Sequence, residues 1–281
     1  MSIKLGQYNQ LFVLKSNEHG LYLGERESSP PHDRILLPLR YASSNLAIGD
    51  KIEVFVYLDS EDRPIATTET PKAQVGKFQL LKCLEVNKVG AFMDWGLPKD
   101  LLAPYGQQFK PMQAGRSYLV YLYIDNASQR IVATSKLDRY LDKTPTFYKK
   151  RQAVDLIIRR KTDLGYLAIV NHQHSGMIFK DQTVTPLKVG QSLQGFIKEL
   201  RPDGKIHLAL SKGAIQDKDR LAGDVINELK KQRGYLPLND KSRPEDIYRT
   251  FKVSKAVFKR TIGKLYKERK IRIEADGIYL V

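Results

Sequence analysis

The sequence predicts a mainly β protein: three small five-stranded barrels in tandem, then a compact α+β domain at the C-terminal end. Three observations carry this reading. First, KIEVFVYLDSEDRPIATTE, from Lys51, returns one domain-length later as SYLVYLYIDNASQRIVATSK, from Ser117. Each is an alternating apolar run that reaches an Asp, crosses a polar turn, passes an Arg and re-enters an alternating run ending in Ala-Thr, the pattern of a β-hairpin. Second, the segments around that hairpin recur in the same order three times, as repeated small domains do. Third, beyond Lys212 the spacing of apolar residues changes from that of strands to that of helices. A length of 281 residues suits about two to four such domains.

The first copy runs from Leu11 to Glu69 and holds FVLKSNEHGLYLG, the irregular SSPPHDR, ILLPL, the loop YASSNLAIGD and the hairpin. From Gly76 the plan restarts with KFQLLKCLEVNKVGAFMDWG, KDLLAP and QQFKPMQAG, and its hairpin closes near Leu137. A more diverged third copy runs from Val154 to Lys212. Gly49, Gly115 and Gly190 hold one place before each fourth strand, and Arg63, Arg130 and Lys205 hold one place after each hairpin turn. The expected domains are therefore 1–70, 71–138, 151–213 and 214–281, with a linker at 139–150 that contains Pro145. Five-stranded units with a glycine in strand two and a hairpin at strands four and five suggest the OB barrel.

In the last domain Leu221, Val225, Ile226 and Leu229 fall at helical spacing and the helix stops by Gly234. Ser242 is the expected N-cap of a second helix, with Pro244 in its first turn and Glu245 and Asp246 beside the positive helix end. A third helix carries Val257, Phe258, Ile262 and Leu265 on one face. The chain closes with two alternating segments around Asp276-Gly277. Three helices and a two-stranded wing read as a winged helix-turn-helix.

Lys and Arg outnumber Asp and Glu by 47 to 31, and a surplus of 16 makes a field attractive to polyanions. Nucleic acid leads the expected partners. An anionic membrane surface is the rival, but no stretch approaches the roughly 18 apolar residues of a spanning helix. The start MSIKLGQYNQ lacks a signal-peptide apolar region, so a cytoplasmic location is expected. The single cysteine, Cys83, lies in the alternating QLLKCLEV and reads as a small buried hydrophobe. His172 and His174 stand two apart with no third ligand, so neither a metal nor a cofactor is expected. Walker-type loops, HExxH and Gly-x-Ser-x-Gly are absent from the sequence, and SEDR and PEDI fit a turn and a helix start. An enzyme is not expected.

All three barrel units resemble the S1 RNA-binding domain, and the second does so most fully, in VGAFMDWGLPKDLLAP, AGRSYLVYLYID and QRIVATSK. Three such units followed by a winged helix resemble the CvfB family, also called YitL, of bacterial RNA-binding regulators. The resemblance covers essentially the whole chain. It implies a binding face on strands two, three and five, with an outward aromatic two places after the strand-two glycine: Tyr22 after Gly20 and Phe92 after Gly90. In the third copy Tyr166 directly follows Gly165, so the aromatic is displaced by one place and faces the other side of the sheet unless a bulge intervenes. Phe179 is its expected substitute. Arg63, Arg130 and Lys205 would lie beside these rings as cations for phosphates or bases. Trp95 shares strand parity with Ala91 and Met93 and is expected in the core.

Aromatic faces stack on unpaired bases for about 1–3 kcal/mol each while a basic groove follows the phosphates, which is single-strand binding with little sequence preference. In the winged helix, Lys255, Lys259, Arg260, Lys264 and Arg272 are the expected nucleic-acid contacts. Asn and Gln, the natural adenine readers, are missing from the helix between Ser254 and Lys270, so phosphate attraction outweighs base readout. The leading expectation is a non-enzymatic binder of single-stranded or loop RNA acting in post-transcriptional or virulence-gene control, the last part implied by the resemblance alone. The alternative is a DNA-binding transcriptional regulator that works through the winged helix.

Overall fold

A computed structural model describes residues 3–43, 45–143, 147–180, 183, 185–211 and 218–281. Pro145 in the linker and Lys212 at the end of the third repeat lie outside the described residues. The chain divides into two compact units, Met1–Tyr140 and Leu141–Val281.

The first unit holds two barrels. In the first, β1 (Gln7–Asn17), β2 (Gly20–Gly24), β3 (Ile35–Pro38), β4 (Lys51–Leu58) and β5 (Pro64–Thr67) close in the order β1-β2-β3-β5-β4. The second repeats the plan with β6 (Phe78–Asn87), β7 (Gly90–Asp94), β8 (Leu101–Pro104), β9 (Ser117–Ile124) and β10 (Ile131–Thr134). Its ladder runs β10-β9-β6-β7-β8, the same circular order opened between β8 and β10, which still lie side by side. In the second unit, β11 (Ala153–Thr162), β12 (Gly165–Val170), β13 (His174–Phe179), β14 (Ser192–Leu200) and β15 (Ile206–Ala209) close like the first barrel, with β13 and β15 parallel.

Closure needs a strongly bent first strand, and each copy bends it in the same place. The register shifts between Val13 and Lys15, between Cys83 and Glu85, and between Ile158 and Arg160. Such a bulge adds local twist and turns the strand around the barrel. The N–H groups of Gly49, Gly115 and Gly190 donate to the carbonyls of Val13, Cys83 and Ile158 at 2.8, 2.8 and 2.7 Å, so the loop before strand four fastens onto each bend. The strand-two glycines are equally specific. A Cβ on Gly20, Gly90 or Gly165 would stand 2.1, 2.5 or 2.1 Å from a carbonyl oxygen of strand three, a distance that real side chains do not tolerate.

The two barrels of the first unit share one core. Along β4, Val54, Phe55, Val56 and Tyr57 are all buried, although alternate residues of a strand point to opposite faces. Val54 and Val56 fill the first barrel. Phe55 and Tyr57 belong instead to the apolar cluster of the second barrel, where both meet Trp95 edge-on at 5.9 and 6.3 Å. Cys83, also in that cluster, is fully buried, and burial raises its thiol pKa. The connector between the barrels is pinned by Lys72 N–H on the Trp95 carbonyl and Val75 N–H on the Gly6 carbonyl.

The C-terminal domain consists of α1 (Lys218–Lys231), β16 (Tyr235–Leu236), α2 (Pro244–Phe251), α3 (Lys255–Lys267), β17 (Ile271–Ile273) and β18 (Ile278–Leu280). The wing pairs β17 with β18, and β16 adds to its other edge. Leu221, Val225, Leu229, Ile247, Phe258, Ile262 and Leu265 form the core between the helices. Ser242 is not the N-cap of α2. Arg243 holds that position with no side-chain cap, while the Ser242 hydroxyl accepts from the Asn239 N–H at 2.8 Å within the preceding turn. Pro244 at the first helical position favours the helix start in its place, since its fixed backbone angle suits a helix and its missing N–H would have been unpaired anyway.

Candidate nucleic-acid interface

Strand two sets the outward face of each barrel. Leu21 and Leu23 point inward and leave Tyr22 half-buried outside; Ala91 and Met93 do the same for Phe92. The bulge places a first-strand side chain opposite each ring position: Lys15 opposite Tyr22, Glu85 opposite Phe92 and Arg160 opposite Leu167. The third barrel therefore carries leucine where the other two carry an aromatic. Tyr166 is corrected from binding face to core: it is 6% exposed, packs with Ala168 and Ile178, and its hydroxyl accepts from the Leu187 N–H. The first-strand bulge leaves strand two in register, so the one-place displacement turns the ring inward.

Phe179 lies half-buried on the outer face of β13, two places beyond Met177. Its ring meets His207 edge-on at 4.9 Å, and His207 pairs in register with Met177. Arg160, Leu167, Met177, Phe179 and His207 thus share one face. Sequence reasoning missed Arg160 and His207. Arg160 reaches this face only through the bulge, which breaks simple alternation, and His207 lies in IHLALS as an unremarkable strand residue. His174 is engaged elsewhere, with Nδ1 3.0 Å from the Tyr148 hydroxyl and Nε2 3.8 Å from Asp142; burial lowers its pKa.

Arg63, Arg130 and Lys205 do occupy equivalent places. Their carbonyls accept from Asp59, Asp125 and Arg201 at 2.9, 2.9 and 3.0 Å, closing each hairpin alike. Their side chains are tied to carboxylates. Arg63 reaches Asp59 at 2.8 Å and Glu61 at 2.9 Å, and Lys205 reaches Asp203 at 3.0 Å. Arg130 crosses to the first barrel and bonds Asp62, whose other oxygen takes Lys99 at 2.8 Å. Lys99 also donates to the Asp59 carbonyl. The Lys99 ammonium, with Arg130, holds the Asp62 carboxyl below the usual range.

On α3, residues 256, 259, 260, 263, 264 and 267 recur at helical spacing on the side opposite the core. They place Lys259, Arg260, Lys264 and Lys267 in one exposed stripe. Lys259 pairs with Asp240 at 3.2 Å and Lys264 with Glu268 at 3.7 Å, whereas Arg260 has no carboxylate partner among the described residues. Lys255 is half-buried at the helix start, and Arg272 on the wing lies 5.8 Å over the Tyr279 ring and 3.9 Å from Glu274.

Charge is divided unequally between the two units. Residues 1–140 carry 17 Lys and Arg against 15 Asp and Glu, whereas residues 141–281 carry 30 against 16. The polyanion-attracting surplus is 2 in one and 14 in the other. Among the described residues, no helix is long and apolar enough to cross a membrane.

An S1-type barrel face and a basic winged helix define a nucleic-acid-binding protein. Residues 5–69 match the S1 domain family and residues 224–280 the CvfB-like winged helix domain family. The resemblance to the CvfB/YitL family is borne out along the chain. It is 25% identical to YitL of Bacillus subtilis over 99% of this chain and 94% of that one. It is 27% identical to conserved virulence factor B of Staphylococcus aureus, and 28% to that of Staphylococcus saprophyticus, each over 84% of this chain and 81% of the relative. Among solved structures, a multidomain protein with nucleic acid binding domains from Streptococcus pneumoniae aligns over 99% of this chain and 98% of that one, at 23% identity and a TM-score of 0.40.

Proposed function

We propose that the protein is a non-enzymatic RNA-binding regulator that holds single-stranded or loop RNA on its barrels, with the winged helix supplying further phosphate contacts. One observation carries the reading: Tyr22, Phe92 and Phe179 present half-open aromatic rings on outer sheet faces, where an unpaired base can stack and a duplex, with its bases already stacked, cannot. The charge surplus of residues 141–281 supports phosphate attraction there. A role in virulence-gene control extends the printed name of the staphylococcal relatives to this chain, and a post-transcriptional one would follow from RNA as the ligand.

The test is a titration of the intact protein with labelled single-stranded RNA, single-stranded DNA and duplex DNA at several salt concentrations. RNA is expected to bind tightest, and Phe92→Ala to weaken it about fivefold or more, the equivalent of about 1 kcal/mol of lost stacking. A preference for duplex DNA that survives Phe92→Ala and vanishes on charge reversal in α3 would replace this reading with that of a transcriptional regulator.

A further inference from the structure

Lys99 and Arg130 on the second barrel share the single Asp62 carboxylate, and a cavity of 390 Å³ opens there, lined by Phe92, Leu102 and Val132 of that barrel and by Leu58 and Asp62 of the first. Lys99, Asp100 and Arg130 reach into the same cavity. Resting on the RNA-binding reading, we propose that this cavity is a base pocket selective for guanine, with the Asp100 carboxylate reading the Watson–Crick edge of a base stacked on Phe92.

The volume lies at the small end of the roughly 300–1,000 Å³ usual for small-molecule pockets, and the apolar lining suits a flat heteroaromatic guest. A phosphodiester does not suit it. Asp100 stands in the field of Asp94 and Glu85, and burial together with those charges raises its pKa. Asp100 has no ion-pair or hydrogen-bond partner among the described residues, so its acceptors are free for a ligand. An ionised carboxylate only accepts. Guanine alone among the four bases offers two adjacent donors, N1–H and the 2-amino group, to such an acceptor, whereas uracil would turn carbonyl oxygens toward it.

Lys99 supplies the complementary donor. Its ammonium has three protons, of which two go to the Asp62 carboxylate and the Asp59 carbonyl, leaving one for the O6 acceptor beside the guanine donors. The first barrel thus acts through Asp62, which orients Lys99 and Arg130 on the rim. Those same two cations disfavour a Lys or Arg side chain as the guest.

The test measures fluorescence anisotropy of the intact protein with a short labelled oligouridine, the same strand with one central guanosine, and the same strand with inosine there, which lacks the 2-amino group. The guanosine strand is expected to bind about ten- to a hundredfold more tightly than oligouridine, with inosine between them. Asp100→Asn is expected to shrink that gap to about twofold or less, both by weakening the guanosine contact and by relieving the repulsion of uracil carbonyls. The inosine strand reads the contact without altering the protein, and the thermal unfolding midpoint of the variant shows that it is folded. Equal affinity of the wild type for the guanosine and uridine strands, or a full preference retained by folded Asp100→Asn, overturns the guanine pocket and leaves strand binding intact. Failure to bind any of the strands overturns both readings.

Discussion

At the scale of single residues, Trp95 joins two domains. Its ring meets Phe55 and Tyr57 of the first barrel, and its indole N–H donates to the Lys99 carbonyl at 2.6 Å. Trp95→Ala would open a void in a core that both barrels need, and is expected to cost about 3–5 kcal/mol in denaturant unfolding of the intact protein. A loss no larger than that of a surface substitution would show that the two cores are independent. Asp62 and Asp100 behave oppositely with pH. The Asp62 pKa lies below its ordinary value of about 3.9, so its contribution is complete above that pH and lost as pH falls through the depressed value. Thermal unfolding between about pH 3 and 6 is expected to show a shallower acid decline for Asp62→Asn than for the wild type; an unchanged decline would discount the clamp. The Asp100 pKa is raised, so its ionised form is the disfavoured one and Asp100→Asn is expected to stabilise the fold at neutral pH. The outward positions of Tyr22 and Phe92 were legible in the sequence because they depend only on alternation from a glycine. The fate of Arg130 was not, since its partner lies 68 residues away on another barrel.

At the scale of elements, the hairpin, the bulged first strand and α3 each convert local pattern into a surface. Hairpin equivalence could be read directly, because turn chemistry is local. The bulges could not, because they arise from barrel closure, and with them went Arg160, which sequence alternation alone does not assign to the face of Phe179. In α3 the helical period sorted Phe258, Ile262 and Leu265 from the cations correctly, while Ser242 misled because its hydroxyl serves the turn before α2 rather than the helix. On the proposed reading, Arg260, exposed and without a carboxylate partner among the described residues, is free to meet a phosphate. Arg260→Glu is expected to weaken nucleic-acid binding across all sequences and to reduce the slope of log affinity against log salt by about 1. An unchanged slope would remove α3 from the interface.

At the scale of the whole molecule, the two compact units carry different electrostatic characters. Residues 141–281 hold nearly all of the net charge, while residues 1–140 are close to balance and set carboxylates around their aromatic face. A basic unit attracts any polyanion, whereas a mixed one must discriminate by hydrogen bonding. The overall surplus of 16 was visible from composition, but its division follows from where the compact units part, a property of packing rather than of any motif. The doubling of β4 burial has a further consequence. A product ending near residue 70 would keep a correctly paired first barrel yet turn Phe55 and Tyr57 into water, leaving an oily flank on a strand-rich surface that invites clumping. The smallest piece of this unit expected to stay dispersed in water is therefore the pair of barrels.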